Sequence, residues 1–352
     1  MSDKWKRIKN KLKKTIRSIM KVIFPAYRVA VRSECSTLKR LNAMYSKQEA
    51  LFWYSQNKPG ELMSETKKRF FRDMPRAEGT LREVQEVISM ILCEMDDICR
   101  ASDIQYWLMG GTLIGAIRHK GFIPWDDDGD IGMMRRDYER FKKAVASSSV
   151  VELKEFYNFN GCYRIPKIVV RGTDIKLAVD IIVFDFADCG EKSLTEMWSE
   201  ETAIRKQYIN AMKRYKVHML DFKGTDVIHD PKRLEVVENM TDSYVEKCHY
   251  NKDSGNTVIW GVDNFTSRAP DRKRIYTYEN IFPLTELEFE GRNYYVVSNY
   301  MDMITREAGD IWSLPADVGT PKFYSEEQLR SMVSKCKAAM KQNDAQRKKV
   351  TV

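Results

Sequence analysis

The sequence predicts an α/β fold built on a mixed sheet, with helical additions and a basic amphipathic helix at the N-terminus. Three observations carry this expectation. Residues 106–141, YWLMGGTLIGAIRHKGFIPWDDDGDIGMMRRDYERF, read as strand, glycine turn, helix, loop and acidic strand. Residues 162–188 hold two β-branched runs on either side of Arg171-Gly172-Thr173-Asp174. Long stretches elsewhere repeat apolar residues at helical spacing. With 352 residues, 43% hydrophobic and 11% aromatic, the chain has material for one large core or two ordinary ones.

At the N-terminus, Trp5, Ile8, Leu12, Ile16, Ile19, Met20 and Ile23 follow helical spacing, and the helix is expected to stop before Pro25. Nine cations against Asp3 give residues 1–24 a charge of +8 out of a net +9, so the other 328 residues carry about +1. A basic arm is implied, and a general nucleic-acid surface is not. A cationic face opposite a Trp/Ile/Leu face suits a membrane interface. Lys21 interrupts what would be the apolar region of a signal peptide, and no run of about 18 apolar residues exists to span a bilayer. The competing expectation is a helix packed on protein, its cations solvated.

Residues 25–79 read as a helical lead-in with a turn at Lys58-Pro59-Gly60, and Leu51-Phe52-Trp53-Tyr54 within it as core. Thr80, with Glu83 three residues on, predicts the capping box of a helix striped by Leu81, Val84, Val87, Ile88, Ile91, Leu92, Met95 and Ile98. That helix is expected to pack behind the glycine turn. Seven cysteines without CxxC spacing read as reduced thiols of a cytosolic protein, with Cys93 and Cys99 as packing residues. Four histidines and no close Cys/His cluster argue against zinc.

The stretch from Gly110 to Asp130 carries the chemistry. Gly110 and Gly111 leave backbone amides open to a ligand, and Thr112 is expected to cap the helix that follows, whose N-terminus suits a phosphate. On a strand, Asp128 and Asp130 point the same way. Hard oxygen ligands so spaced suit Mg²⁺, or Mn²⁺ in its place. The acids also fit the DxD of a nucleotide-sugar glycosyltransferase or a solvated acidic loop. A Ca²⁺ loop running from Asp126 to Asp137 fits poorly, because Ile131 stands where that loop needs glycine. Further on, Asp180 lies in an apolar strand and needs a metal or a cation, either Lys167 or Arg171. Asp185 and Asp188 are weaker candidates. Arg135 and Arg136 open a helix with Tyr138 and Phe141 turned inward, and fit either a phosphate contact or a solvated helix start.

Gly110 to His119, then Gly121-Phe122-Ile123-Pro124-Trp125-Asp126-Asp127-Asp128-Gly129-Asp130-Ile131-Gly132-Met133, then Arg135 and Asp137-Tyr138, resemble the signature of the LicD/fukutin family. The resemblance extends over about residues 80–322, through Asp180-Ile181-Ile182-Val183-Phe184 and the pieces at 279–291 and 309–315. Gly129 departs from it, since a bulky apolar residue is usual there, and so does Ala308, where an aromatic residue usually precedes Gly-Asp. The resemblance implies a nucleotidyltransferase-type fold over residues 80–324, with a basic helical tail at 325–352 that frays from Gln342. It implies Mg²⁺-dependent transfer of a phosphorylated small alcohol from a CDP-linked donor to a sugar hydroxyl. Phosphocholine is favoured over glycerol or ribitol phosphate, and the acceptor is a cell-surface glycan such as lipopolysaccharide, capsule or teichoic acid. The expected metal ligands are Asp128, Asp130 and Asp180, the last as ligand or as base. Gly110, Gly111, Thr112, Arg118, His119, Arg135 and Lys167 are expected at the donor. A bacterial enzyme on the inner face of the plasma membrane, held there by residues 4–24, completes the expectation. Its rivals are the DxD glycosyltransferase and a non-catalytic membrane-associated glycan-binding protein.

Overall fold

The computed structural model describes residues 25–158, 163–173, 177–187, 231–247, 255–261, 263, 274–315 and 324–350, with scattered positions between 196 and 207. The basic arm, Asp188 and most of the stretch at 191–230 lie outside the described residues. The chain divides into two compact units at Phe70/Phe71.

In the first unit, helix α1 (Pro25–Gln56) starts on a proline, whose fixed φ suits a first helical position. A turn at Pro59-Gly60 separates it from α2 (Met63–Arg72). Phe52, Trp53 and Phe70 meet edge to face with centroids 5.1–5.3 Å apart. Only part of the expected aromatic core is core, because Leu51 and Tyr54 are 70% and 71% exposed.

The second unit opens with α3 (Gly79–Ala101), continues through β1 (Trp107–Leu108) and α4 (Gly110–His119), and reaches the acidic strand β2 (Gly129–Met134) and α5 (Arg135–Val145). Then come β3 (Val151–Asn158), β4 (Tyr163–Val170), β5 (Ala178–Phe186), α6 (Pro231–Lys247), β6 (Thr257–Trp260) and β7 (Ile275–Thr277). A one-turn helix α7 (Tyr278–Ile281), the hairpin β8 (Thr285–Phe289) and β9 (Arg292–Val296), α8 (Tyr300–Ala308) and α9 (Glu326–Val350) complete it. Among the described residues, seven strands form one mixed sheet in the order β1-β2-β5-β4-β3, with β6 bridging β5 and β7. Strands β2 and β5 are parallel, and the other pairs are antiparallel.

Period-2 alternation sorts the strands onto two cores. Ile131, Met133, Val179, Ile181 and Val183 join α3, α5 and α9 on one face; Trp107, Met134, Ile182, Phe184 and Phe186 build the smaller core on the other. Helix α3 delivers Val84, Val87, Ile88, Ile91, Leu92 and Met95, all buried, to the first face.

Four local expectations change. Helix α3 begins at Gly79, and Glu78 stands at its cap without a side-chain bond. The Thr80 hydroxyl turns instead to α9, accepting from Arg330 Nε at 3.0 Å and lying 3.3 Å from Glu326 Oε1. Edge strand β3, with Glu and Lys at alternate positions, had no reading in the sequence. Helix α8 had no reading in the sequence either. Helix α9 also continues through Gln342 to Val350, with no break where fraying was expected.

Candidate active site

Strand β1 and helix α4 meet with no separate turn: the two glycines are the first residues of the helix. Gly110 has φ +49°, a left-handed conformation natural to glycine, and a Cβ there would lie 2.5 Å from Asp130 Oδ2. A Cβ on Gly111 would collide with Asp126 Oδ2. These glycines let the N-terminus of α4 press on the acids, where its unbonded N–H groups and positive dipole end favour negative charge. The cap position is Met109, with no side-chain bond. Thr112, expected as the cap, is inside the helix and buried; its hydroxyl accepts the Asp130 N–H at 2.9 Å and ties α4 to β2.

Helix α3 supports the acidic strand from behind. A Cβ at Gly129 would stand 2.9 Å from Ile88 Cγ2 and 3.3 Å from Val179 Cγ2. The missing side chain is therefore replaced by a close helix, and the strand is tightly seated.

Asp130 and Asp180 are direct register partners across the parallel pair β2–β5, so their side chains share a face. Lys167 is the partner of Asp180 on the next strand, β4, and its ammonium pairs with the Asp180 carboxylate. Asp126, Asp127 and Asp128 place carboxylate oxygens within 4.8 Å of one another. Burial pushes Asp126 up to about 8, with Asp128 and Asp127 adding to the rise. Asp127 rises to about 6 by burial and the Asp128 charge. Asp130 is pushed well up by burial and then by Asp128, Asp180 and Asp126, against the pull of Lys167. Asp180 is also raised, with burial outweighing Lys167. Asp126 Oδ2 is buried and has no hydrogen-bond partner. Among the described residues, the close group Asp126, Asp127 and Asp128, its orphaned oxygen and the neighbouring Asp130 and Asp180, offset by Lys167, fit a small, hard divalent cation.

Other residues named from the sequence lie elsewhere. Arg118 is at the far end of α4, about 12 Å along the axis from Gly110. It is buried, stacks 4.1 Å over the Phe71 ring and donates to the Ile311 carbonyl at 2.8 Å. Burial without a carboxylate lowers it to about 10. His119 beside it is lowered to about 4 by burial and by Arg118. Neither reaches the acids. Arg135 stands at the opposite end of β2, roughly 16 Å from Asp130 along the strand. It is also buried, and it donates to Asp185 at 2.5 and 2.7 Å and to Asp263 at 2.6 and 3.4 Å. Arg164 grips Asp263 at 2.6 and 3.0 Å, extending this buried network. The expected donor contacts of Arg118, His119 and Arg135 are thus replaced by internal ones. Asp126 and Asp127, which the structure groups with Asp128, were not named as candidate ligands from the sequence, although their place in the acidic run was a signal. Asp263 had no signal in the sequence.

Residues 103–227 match the family described as LicD/FKTN/FKRP, nucleotidyltransferase domain. That match covers about a third of the chain and takes in the two glycines and the acidic strand. The chain is 27% identical over 273 residues to the lipopolysaccharide cholinephosphotransferase LicD of Haemophilus influenzae, covering 70% of this chain and 97% of that protein. It is 31% identical over 110 residues to human ribitol 5-phosphate transferase FKRP, 29% of this chain and 21% of FKRP. An uncharacterized protein of Rickettsia typhi matches over 55 residues at 42% identity, 16% of this chain and 18% of that protein.

Proposed function

We propose that the chain is a phosphotransferase that moves a phosphorylated small alcohol from a CDP-linked donor to a sugar hydroxyl of a cell-surface glycan. Two relatives named for phosphoalcohol transfer support this, the LicD cholinephosphotransferase along nearly its whole length. Phosphocholine is the favoured cargo on that ground. The observation that carries the reading is the acid cluster under the glycine-led N-terminus of α4, with Asp126 Oδ2 left unbonded.

In this reading Asp128 and Asp130 would hold Mg²⁺, with Asp126 offering a further oxygen and Asp180 close by on β5. Bound there, the ion would neutralise charge on the donor phosphates. The N–H groups of Gly110, Gly111 and Thr112 would seat a phosphate oxygen. The sugar hydroxyl attacks the phosphorus that bears the alcohol, the P–O bond to CMP breaks, and CMP leaves. Asp180, with its raised affinity for protons, accepts the hydroxyl proton. Lys167 holds Asp180 in place and lies one strand further along the same face, where it can meet the donor phosphates. Positioning and charge stabilisation supply most of the rate.

Among the described residues no helix is long and apolar enough to cross a membrane. The nine cations of residues 4–24 would hold the enzyme on an anionic inner leaflet, near lipid-linked acceptors. Incubation with Mg²⁺ and CDP-choline, CDP-glycerol, CDP-ribitol or UDP-sugars tests the reaction, with mass spectrometry of the products. CMP release with a glycan gaining a phosphoalcohol is the expected result. UDP release alone would make the acids a glycosyltransferase DxD, and no turnover with any donor would favour a binding protein.

A further inference from the structure

We propose that Gln85 of α3 is a positioning residue for the cation site, setting where Asp126 and its neighbouring carboxylates stand. The inference rests on the reading that these acids hold a divalent cation. Gln85 is 1% exposed. Its Nε2 donates to two backbone carbonyls of the acid loop, Ile123 at 3.3 Å and Asp126 at 3.0 Å. Those carbonyls belong to one turn, because the Asp126 N–H itself donates to the Ile123 carbonyl at 3.0 Å. On its other side, Gln85 Oε1 lies 3.4 Å from Arg82 Nη1, which keeps the nitrogen turned toward the loop.

The same helix face holds the loop further back. Arg82 pairs with Glu290 at 2.8 Å, and the Glu290 carboxylate accepts the Phe122 N–H at 3.3 Å. The Glu290 N–H donates to the Lys120 carbonyl at 2.9 Å. The loop is thus gripped at Lys120, Phe122, Ile123 and Asp126, and the last grip falls on the peptide that bears the first clustered carboxylate. Beyond it Asp128 is exposed.

A neutral amide suits this position. Buried carbonyls need a donor. A lysine or arginine there would supply one, but would also cancel part of the negative field that draws a divalent ion. Gln85 satisfies the carbonyls and leaves that field intact.

Outer partners of metal ligands typically cost about 10–100-fold in metal affinity when removed. The test is a Mn²⁺ titration of the full-length chain, followed by electron paramagnetic resonance of free Mn²⁺. Gln85→Met keeps the length and removes the donor, and is expected to weaken binding about tenfold or more. Gln85→Asn keeps the amide but falls about 1.5 Å short, so a smaller loss is expected. Tyr106→Phe, which removes the Tyr106–Asp96 bond of 2.5 Å in the same core, is expected to lower Tm and leave Mn²⁺ affinity unchanged. Wild-type affinity in Gln85→Met, or an equal loss in Tyr106→Phe, overturns the proposal. A wild-type chain that binds no Mn²⁺ overturns the cation reading and this inference with it, a result distinct from the other two.

Discussion

Strands β2 and β5 carry aspartates toward both ends, and the two ends compensate their charge differently. At the C-terminal end, Asp185 and Asp263 are matched by Arg135 and Arg164, and Arg164 reaches on to Asp242 at the surface. The arginines hold Asp263 well below the usual carboxylate range. At the N-terminal end, Asp126, Asp127, Asp128, Asp130 and Asp180 lie near one another, with Lys167 paired to Asp180, and those whose proton affinity moves are all pushed up. A balanced network is complete as folded and holds the sheet together. An unbalanced one is complete only with a cation or with protons. Acid excess therefore singles out the end of these strands proposed to hold a cation more clearly than the mere presence of buried aspartates.

The largest expected effect breaks the unbalanced end. Asp128→Asn with Asp130→Asn should lower transfer by about a thousandfold or more, the scale of lost transition-state charge stabilisation, with the fold intact by circular dichroism. Full activity in that variant would remove the cation assignment. Next comes the balanced end: Arg135→Met strands buried Asp185 and leaves Asp263 to Arg164, and should cost about 3–5 kcal/mol in urea unfolding. A loss under 1 kcal/mol would show that the network is dispensable.

The pH dependence should separate the ends again. A carboxylate whose folded pKa is raised binds protons more tightly folded than unfolded, so stability falls as pH rises from the unfolded value of 3.8 toward the folded value of about 8 for Asp126. His119, lowered from 6.5 to about 4, opposes this only below about pH 6.5. Without divalent metal, Tm should therefore rise as pH drops from 8 to 6.5, and Mg²⁺ should flatten the slope. The slope is measured by thermal scans with chelator and with Mg²⁺. The smallest effect concerns the shared strand: Gly129→Val should cost about 1–3 kcal/mol by overpacking against Ile88, with part of that recovered by adding Ile88→Ala.

Much of this was legible in the chain. The order strand, helix, acidic strand, helix over residues 104–145 matches the expected layout, as do the buried stripe of α3, the strand from Tyr163 to Val170 and the inward Tyr138 and Phe141. Patterns of period 2 and 3.6 are local and survive without a partner. Thr80 and Thr112 misled because a hydroxyl two bonds from Cα suits a cap on paper, whereas burial offered each a tertiary acceptor or donor. Arg135 and Arg118 misled for a related reason: only the fold shows that Arg135 turns its donors to Asp185 and Asp263, and that Arg118 is buried over Phe71 with a donor on the Ile311 carbonyl.

The sequence by itself determined that the glycines, a helix start and the acids follow one another within 21 residues, Gly110 to Asp130, in the order helix then acidic strand. Only the tertiary structure decided that Asp180 stands beside Asp130 with Lys167 beyond it, that Arg135 turns to Asp263, and that α3 fills the space above Gly129. Those pairings join residues 13 to 128 positions apart. No local preference encodes them, because they arise from strand register and from the need to compensate each charge taken out of water.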